Sequence, residues 1–309
     1  MLFQRIRNWL KPAAATSPPA IAGNPPHWTV PVLCYHSWTA EGDAYEGNDH
    51  IALAEDLRAL GRRAYRVLPL TTLVALLRGE RAPAEFAGQK LVGLSFDDGR
   101  DADYVDLHDE QGELILPSMH SVLEAGRSAI EMADEGPMAV SFVIASAQAR
   151  TQMDQACARG RNEWRDDWWA ECAGRGLIGI ANHSWDHVHD SLPQVAQREN
   201  RKGSFLAIDN FADAEAQIAR AQRYIDQRCQ GLNLPIFGYP YGDVAPYLRD
   251  DYLPAEGERI GLKAAFGTGG SSVRPDTPVW DIPRFVCGWH WRTPAELTAL
   301  LDAVEGGVR

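Results

Sequence analysis

Asp97 and Asp98 stand side by side at the end of an apolar run, Leu91–Phe96, and Gly99 follows them. Two carboxylates at the tip of a buried segment are costly unless something neutralises them. Consecutive side chains on extended backbone point to opposite faces, so the pair can divide its work. One carboxylate can bind a cation while the other faces a substrate. A surface Asp-Asp-Gly turn is the plainer alternative. About 85 residues later comes Ala181-Asn182-His183-Ser184-Trp185-Asp186-His187-Val188-His189. His183 and His187 are four apart, a spacing that on one helical turn aims both imidazoles at one point. Two histidines and one carboxylate, with positions left for water, make a catalytic rather than a structural metal site. The plainer alternative is a His-rich loop that only titrates. His189, two residues beyond His187, suits the shared point less well.

Two further stretches carry chemistry. Phe237-Gly238-Tyr239-Pro240-Tyr241-Gly242-Asp243 can shape a substrate platform and present a backbone N–H, or be simply a turn. Ile282-Pro283-Arg284-Phe285-Val286-Cys287-Gly288-Trp289-His290-Trp291 sets His290 between two tryptophans, as a proton donor beside a sugar-stacking surface or as the edge of an aromatic core. Arg284 lies inside an apolar strand and needs a carboxylate partner if buried; Asp97 is the expected one. Of Trp164, Trp168, Trp169, Trp185, Trp289 and Trp291, at least half are expected in the core.

The elements that must position these residues are short apolar runs: Pro31–His36, Leu91–Phe96, Ala139–Ala145, Leu177–Ala181, Pro235–Tyr239, Lys263–Thr268 and Trp280–Cys287. Stretches with helical spacing separate most of them: Ile51–Tyr65, Leu70–Arg78, Met119–Met132, Glu163–Gly174 and Ala212–Arg228, with Pro294–Val304 closing the chain. About seven strand–helix alternations without a Pro/Gly-rich break predict an α/β fold, one parallel barrel domain over residues 28–309. A doubly wound open sheet is the alternative, but no G-x-G-x-x-G follows the first strand. Chemistry in such folds gathers at the C-terminal ends of strands, where both motifs fall. Within Arg100–Pro137, the residues Asp101, Asp103, Tyr104, Asp106, His108 and Asp109 suggest a lid or part of a cleft; a solvated acidic loop is the plainer expectation.

The 309 residues carry 30 Lys+Arg and 42 Asp+Glu, a net charge of −12, which argues against a nucleic-acid partner. No run of about 18 apolar residues suggests a membrane span. The five cysteines are widely spaced and lack a C-x-x-C, the pattern of buried thiols rather than a disulfide framework. Residues 1–11 lack the features of a secretory signal, which predicts a cytoplasmic protein. Leu2, Phe3, Ile6, Trp9 and Leu10 fall in one helical arc with Arg5, Arg7 and Lys11 outside it, as in an interfacial helix making peripheral membrane contact at the inner face; a helix packed on its own domain or a frayed terminus is the plainer expectation. A Pro/Ala-rich linker runs on to residue 27.

Taken together, Ser95-Phe96-Asp97-Asp98-Gly99 and His183-Ser184-Trp185-Asp186-His187 resemble the polysaccharide deacetylases of carbohydrate esterase family 4, the NodB-homology domain. The order, spacing and strand context agree, as does an opening strand ending in Tyr35-His36, and the resemblance spans roughly residues 31–301. It implies a distorted (β/α)7 barrel and a metal-dependent amide hydrolase acting on an N-acetylated amino-sugar polysaccharide or oligosaccharide. Carried over by position, Asp98, His183 and His187 hold one divalent ion, zinc by default, with cobalt, nickel or iron as alternatives. Asp97 is the general base, the Tyr241 N–H helps hold the oxyanion, and His290 is the general acid. Two departures stand out. Many members carry Arg before the Pro-Tyr of the third motif, whereas this chain has Phe237-Gly238-Tyr239 and resembles the exopolysaccharide-modifying branch that reads Tyr-Pro-Tyr-Gly; Arg284 can supply the missing cation. The last motif, usually Leu-x-His, here reads Gly288-Trp289-His290. The competing functions are a hydrolase of a small linear or cyclic amide on the same scaffold, and a non-catalytic carbohydrate-binding protein.

Overall fold

The computed structural model of the chain describes residues 28–307. The amphipathic start and the linker lie outside the described residues. Each of the seven expected apolar runs carries a strand: β1 Val32–Tyr35, β2 Lys90–Phe96, β3 Ala139–Val143, β4 Ile178–Asn182, β5 Ile236–Gly238, β6 Ala264–Phe266 and β7 Phe285–Val286. They pair in parallel and in chain order from β1 to β6, while β7 lies on the other side of β1. A parallel bridge from Phe266 of β6 to Ile282, just before β7, closes the ring. The sheet is the seven-stranded barrel, not the open alternative.

Alternation along the strands builds two layers. Val32, Val140, Phe142, Ala181, Ile236, Ala264, Phe266 and Ile282 cluster with one another and with Leu70, Leu73, Val74 and Leu76 of the helix Leu70–Leu77. Two positions further along their strands, toward the C-terminal ends, Cys34, His183 and Arg284 follow on the same side, joined from β2 by Ser95 and then Asp97. The barrel is therefore apolar at one end and polar at the other. The alternate residues Leu33, Tyr35, Leu94, Phe96, Val143, Ile178 and Ile180 join an outer core with Leu53 and Leu57 of the helix Asp49–Arg62, Leu123 of Met119–Gly126 and Trp169 of Trp169–Arg175.

Several boundaries differ from the sequence reading. Helix Asp49–Arg62 stops before Tyr65, and Tyr65–Val67 forms a short strand on the opening residues of β2. Met119–Gly126 likewise ends early, and Glu131–Met132 pairs with Tyr65–Val67. Residues 163–168 are not helical, because their backbone is held elsewhere: Glu163 N donates to Asp154 and Arg165 N to Asp101. The helix Ala147–Cys157, capped by Ser146, was missed because its sequence is largely polar. Acids order the 100–137 segment, although its hairpin stays largely exposed. Asp101 and Asp103 are buried, Asp106 accepts from the backbone and hydroxyl of Ser118, and Asp109 closes a hairpin between Leu107–His108 and Leu114–Leu116. Cys34, Cys172 and Cys229 are buried free thiols, whereas Cys157 is exposed. Among the described residues no helix is long and apolar enough to cross a membrane.

Candidate metal centre

β1 and β2 pair with Tyr35 opposite Phe96, so the next residues of each, His36 and Asp97, emerge together. Asp97 is buried and meets Arg284 in a two-pronged pair, Nη1 to Oδ1 at 2.6 Å and Nη2 to Oδ2 at 2.8 Å. Arg284, itself fully buried, spends its remaining donors on Ser95 Oγ at 3.1 Å and the Gly267 carbonyl at 3.1 Å. This is the partner expected for a buried guanidinium. Burial alone would raise the Asp97 pKa. The Arg284 charge, with His183 adding a smaller pull, overrides it and holds the carboxyl well below the usual range.

Asp98 leaves the strand in a left-handed conformation, φ +77°, and Gly99 continues it at φ +68°. A Cβ on Gly99 would lie 2.5 Å from Val143 Cγ1, so both conformation and space require glycine there. Trp164 Nε1 donates to the Asp98 carbonyl at 2.8 Å and fixes the turn. The turn aims Asp98 Oδ1 at His183 Nε2, 3.7 Å away, and at His187 Nε2, 3.6 Å away. Ligands about 2.0–2.1 Å from a tetrahedral ion stand roughly 3.4 Å apart, so both Asp98–histidine separations suit one metal with a small contraction, and all three atoms lie within 4.8 Å of one another. The donor chemistry fits as well. His183 Nδ1 contacts the Gly238 carbonyl at 2.8 Å, a bond that needs the proton on Nδ1 and leaves the Nε2 lone pair free. Burial pushes the His187 pKa down to about 3 against the opposing pull of Asp98, so its ring is neutral, as a ligand must be. The two histidines do not lie on a helical turn. Ser184, His187 and Val188 all have positive φ, and a tight loop after β4 brings the rings together at 5.0 Å.

The remaining sequence candidates fall into two places. Tyr241, φ +60°, sets its half-exposed ring edge-on against His187 at 4.3 Å. Gly242 beside it has no room for a side chain, since a Cβ would lie 1.8 Å from Thr268 Oγ1. His290 is half-buried. Its Nδ1 accepts the Val286 N–H at 2.8 Å, and its Nε2 edge covers Gly270. Trp289 is 81% exposed. Neither belongs to the two groups, among the described residues, whose ligand atoms gather within 4.8 Å: Asp98 with His183 and His187, and Cys34 with His36 and Asp97. The sequence reading noticed His36 only as part of a typical opening strand. Four of the six tryptophans, Trp164, Trp168, Trp169 and Trp291, are core.

No protein-family model matches the chain, and no curated protein matches it. Among solved structures it is similar to the Streptococcus pyogenes deacetylase PplD in complex with acetate. The identity is 15%, the TM-score 0.54, and the alignment covers 89% of this chain and 98% of that one. The chain has the fold of that deacetylase. A second similar structure is the deacetylase domain of BpsB from Bordetella bronchiseptica, with 16% identity, TM-score 0.49, and 84% and 95% of the two chains covered.

Within this fold, the loop bearing both histidines is held from behind by an irregular helix. Residues Phe211–Ala214 and Arg220–Arg228 are α-helical, and Glu215–Ala219 between them is a π-helical turn. The turn buries Gln217, whose Nε2 donates to Asp186 Oδ1 at 2.6 Å while its Oε1 accepts the Asp186 N–H at 3.3 Å. The Ile218 carbonyl accepts from Asn182 Nδ2 at 3.1 Å, and Asn182 Oδ1 takes the Ser184 N–H at 2.8 Å. Asp186 also accepts from Val188 N and Ala196 N. The strained backbone between the two rings is thus fastened at Asn182, Ser184 and Asp186.

Proposed function

We propose that this chain is a metal-dependent hydrolase that removes N-acetyl groups from an amino-sugar polysaccharide or oligosaccharide. The observation that carries the reading is the convergence of Asp98 Oδ1, His183 Nε2 and His187 Nε2 beside a second carboxylate, Asp97, that a buried arginine keeps ionised. A non-catalytic binder has no use for that pairing. The similar PplD structure holds acetate, the acid that deacetylation releases.

Asp98, His183 and His187 would hold one divalent ion, zinc by default, with cobalt, nickel or iron compatible with the same donors. When bound, such an ion lowers the pKa of a coordinated water and polarises the amide carbonyl. Asp97 then accepts the proton that the attacking water loses. Its two-pronged bond with Arg284 fixes its orientation and holds it ionised before the attack. The Tyr241 N–H helps hold the developing oxyanion. For the acid that protonates the departing amine we favour His36 over His290. His36 has a ring nitrogen within 4.8 Å of an Asp97 oxygen, whereas His290 commits Nδ1 to accepting a backbone N–H and must give up that bond to become the imidazolium.

The test is acetate release from N-acetylated chito-oligosaccharides and poly-N-acetylglucosamine, with chelator and metal add-back. Chelator-sensitive, metal-restored acetate is expected. Asp97→Asn should retain stoichiometric metal and lose roughly 10²–10⁴ of turnover, while His183→Ala should lose both. Metal-loaded protein that releases no acetate from either substrate rejects the deacetylase reading.

A further inference from the structure

Asp98 turns only one of its oxygens toward the two histidines. The other, Oδ2, accepts a hydrogen bond from Trp38 Nε1 at 3.0 Å. Trp38 is nevertheless 53% exposed, so its ring is not there as core. Its neighbours explain how a surface tryptophan can be fixed. The segment that follows β1 is tied down on both sides of it: His36 N donates to Asp49 Oδ2 at 2.7 Å, and the Ser37 carbonyl meets His50 Nε2 at 3.0 Å. Thr39 closes back on His36 O at 2.9 Å and receives Asp49 N at 2.8 Å. Asn48 caps the helix Asp49–Arg62 and so fixes the residues that do the tying. The indole ring also leans edge-on against His36 at 5.7 Å.

We propose, resting on the metal-dependent reading above, that Trp38 is a positioning residue for the metal ligand Asp98. Its indole N–H occupies Oδ2, so the carboxylate offers the ion Oδ1 alone and keeps the orientation that points Oδ1 at His183 and His187. A carboxylate without that donor can rotate and offer either oxygen or both, and a ligand free to rotate loses preorganisation. An exposed side chain thereby takes part in retaining the metal, and the His36–Trp38 segment links a metal ligand to the neighbourhood of Asp97.

The experiment compares the full-length parent with Trp38→Phe, which keeps an aromatic ring but has no N–H to donate, and with Trp38→Ala. Zinc affinity is measured without substrate by competition with a chromogenic chelator, and the cobalt-loaded visible spectrum reports the coordination number. Both variants should bind zinc about 10–100-fold more weakly than the parent, the range for lost partners of metal ligands. Their unfolding midpoints in chelator should match the parent's, since the residue is exposed. Trp38→Phe should recover turnover when zinc is raised to saturate it. Parent-like zinc affinity in Trp38→Phe overturns the inference and leaves the metal-dependent reading intact. A parent that takes up no zinc, or whose uptake survives His183→Ala, overturns both.

Discussion

Replacing Arg284 with methionine removes a guanidinium that is fully buried and bonded to both oxygens of Asp97, while keeping much of the apolar volume. Removing one partner of a buried pair leaves an uncompensated charge and costs about 3–5 kcal/mol. Against a typical stability of about 5–15 kcal/mol, the variant should fold but be marginal at neutral pH. The cost should also depend on pH. In the parent, the folded-state pKa of Asp97 lies below its unfolded value near 3.9, so its contribution is present above that pH and is lost as pH falls. Without Arg284, burial acts with far less opposition and lifts the carboxyl above 3.9. The contribution then reverses: the neutral acid is tolerated at low pH, and stability is lost as pH rises through the lifted value. The gap between parent and variant should therefore be largest near pH 7.5 and shrink toward pH 4.5. Urea unfolding in chelator at three pH values measures it. Asp97→Asn combined with Arg284→Met removes the stranded charge and should recover most of the loss at pH 7.5. A gap that does not change with pH, or a double variant no better than Arg284→Met, would assign Arg284's contribution to its packing over Phe142, 5.1 Å from the ring centroid.

Three other outcomes follow from the same geometry. His36→Gln should lower kcat by about 10²–10⁴ with metal retained, and His290→Gln should cost far less; single-turnover assays on the zinc-loaded proteins make the comparison, and the opposite order would return the acid role to His290. Asp103→Asn should raise stability at pH 8 by a few kcal/mol, on the order of 2–4. Burial, chiefly, with the negative charges of Asp97 and Asp98 adding to it, pushes the Asp103 carboxyl up to about 7. The folded protein therefore holds a proton that the unfolded chain releases near pH 4, and parent stability falls as pH rises from 4 to 7. The advantage of the variant should vanish by pH 4 in a pH series of unfolding midpoints, and an advantage constant with pH would assign it to packing. Gln217→Leu removes both bonds to Asp186 and should weaken zinc binding about tenfold in chelator competition, without touching a ligand; unchanged affinity would show that the loop needs no support from the π-helical turn.

The barrel strands were readable because strands buried on both faces appear as short continuous apolar runs, and the helices between them carry an apolar stripe. The metal ligands were readable because two of them lie four residues apart in one loop and the third sits at a strand tip. The spacing was informative although the route was wrong, since a loop with three positive-φ residues brings the rings together where a helical turn was expected. Ala147–Cys157 and the short strand Tyr65–Val67 were hidden, one by a polar sequence and the other by its length of three residues. His36 and Trp38 were hidden for a different reason. They stand about 60 residues before the carboxylates they approach, and only strand pairing makes them neighbours. Register is a property of two strands together, and no single segment carries it. A partial signal was nonetheless available. In parallel strands whose apolar runs end at one level, the residues just after the runs share one rim of the barrel. The last apolar residue of the first run is Tyr35 and that of the second is Phe96, and the structure pairs those two residues directly. Aligning those last apolar residues sets His36 beside Asp97 before any contact is known. The same alignment offers nothing for His290, which follows β7 by four residues and folds back to accept a bond from Val286 in its own strand.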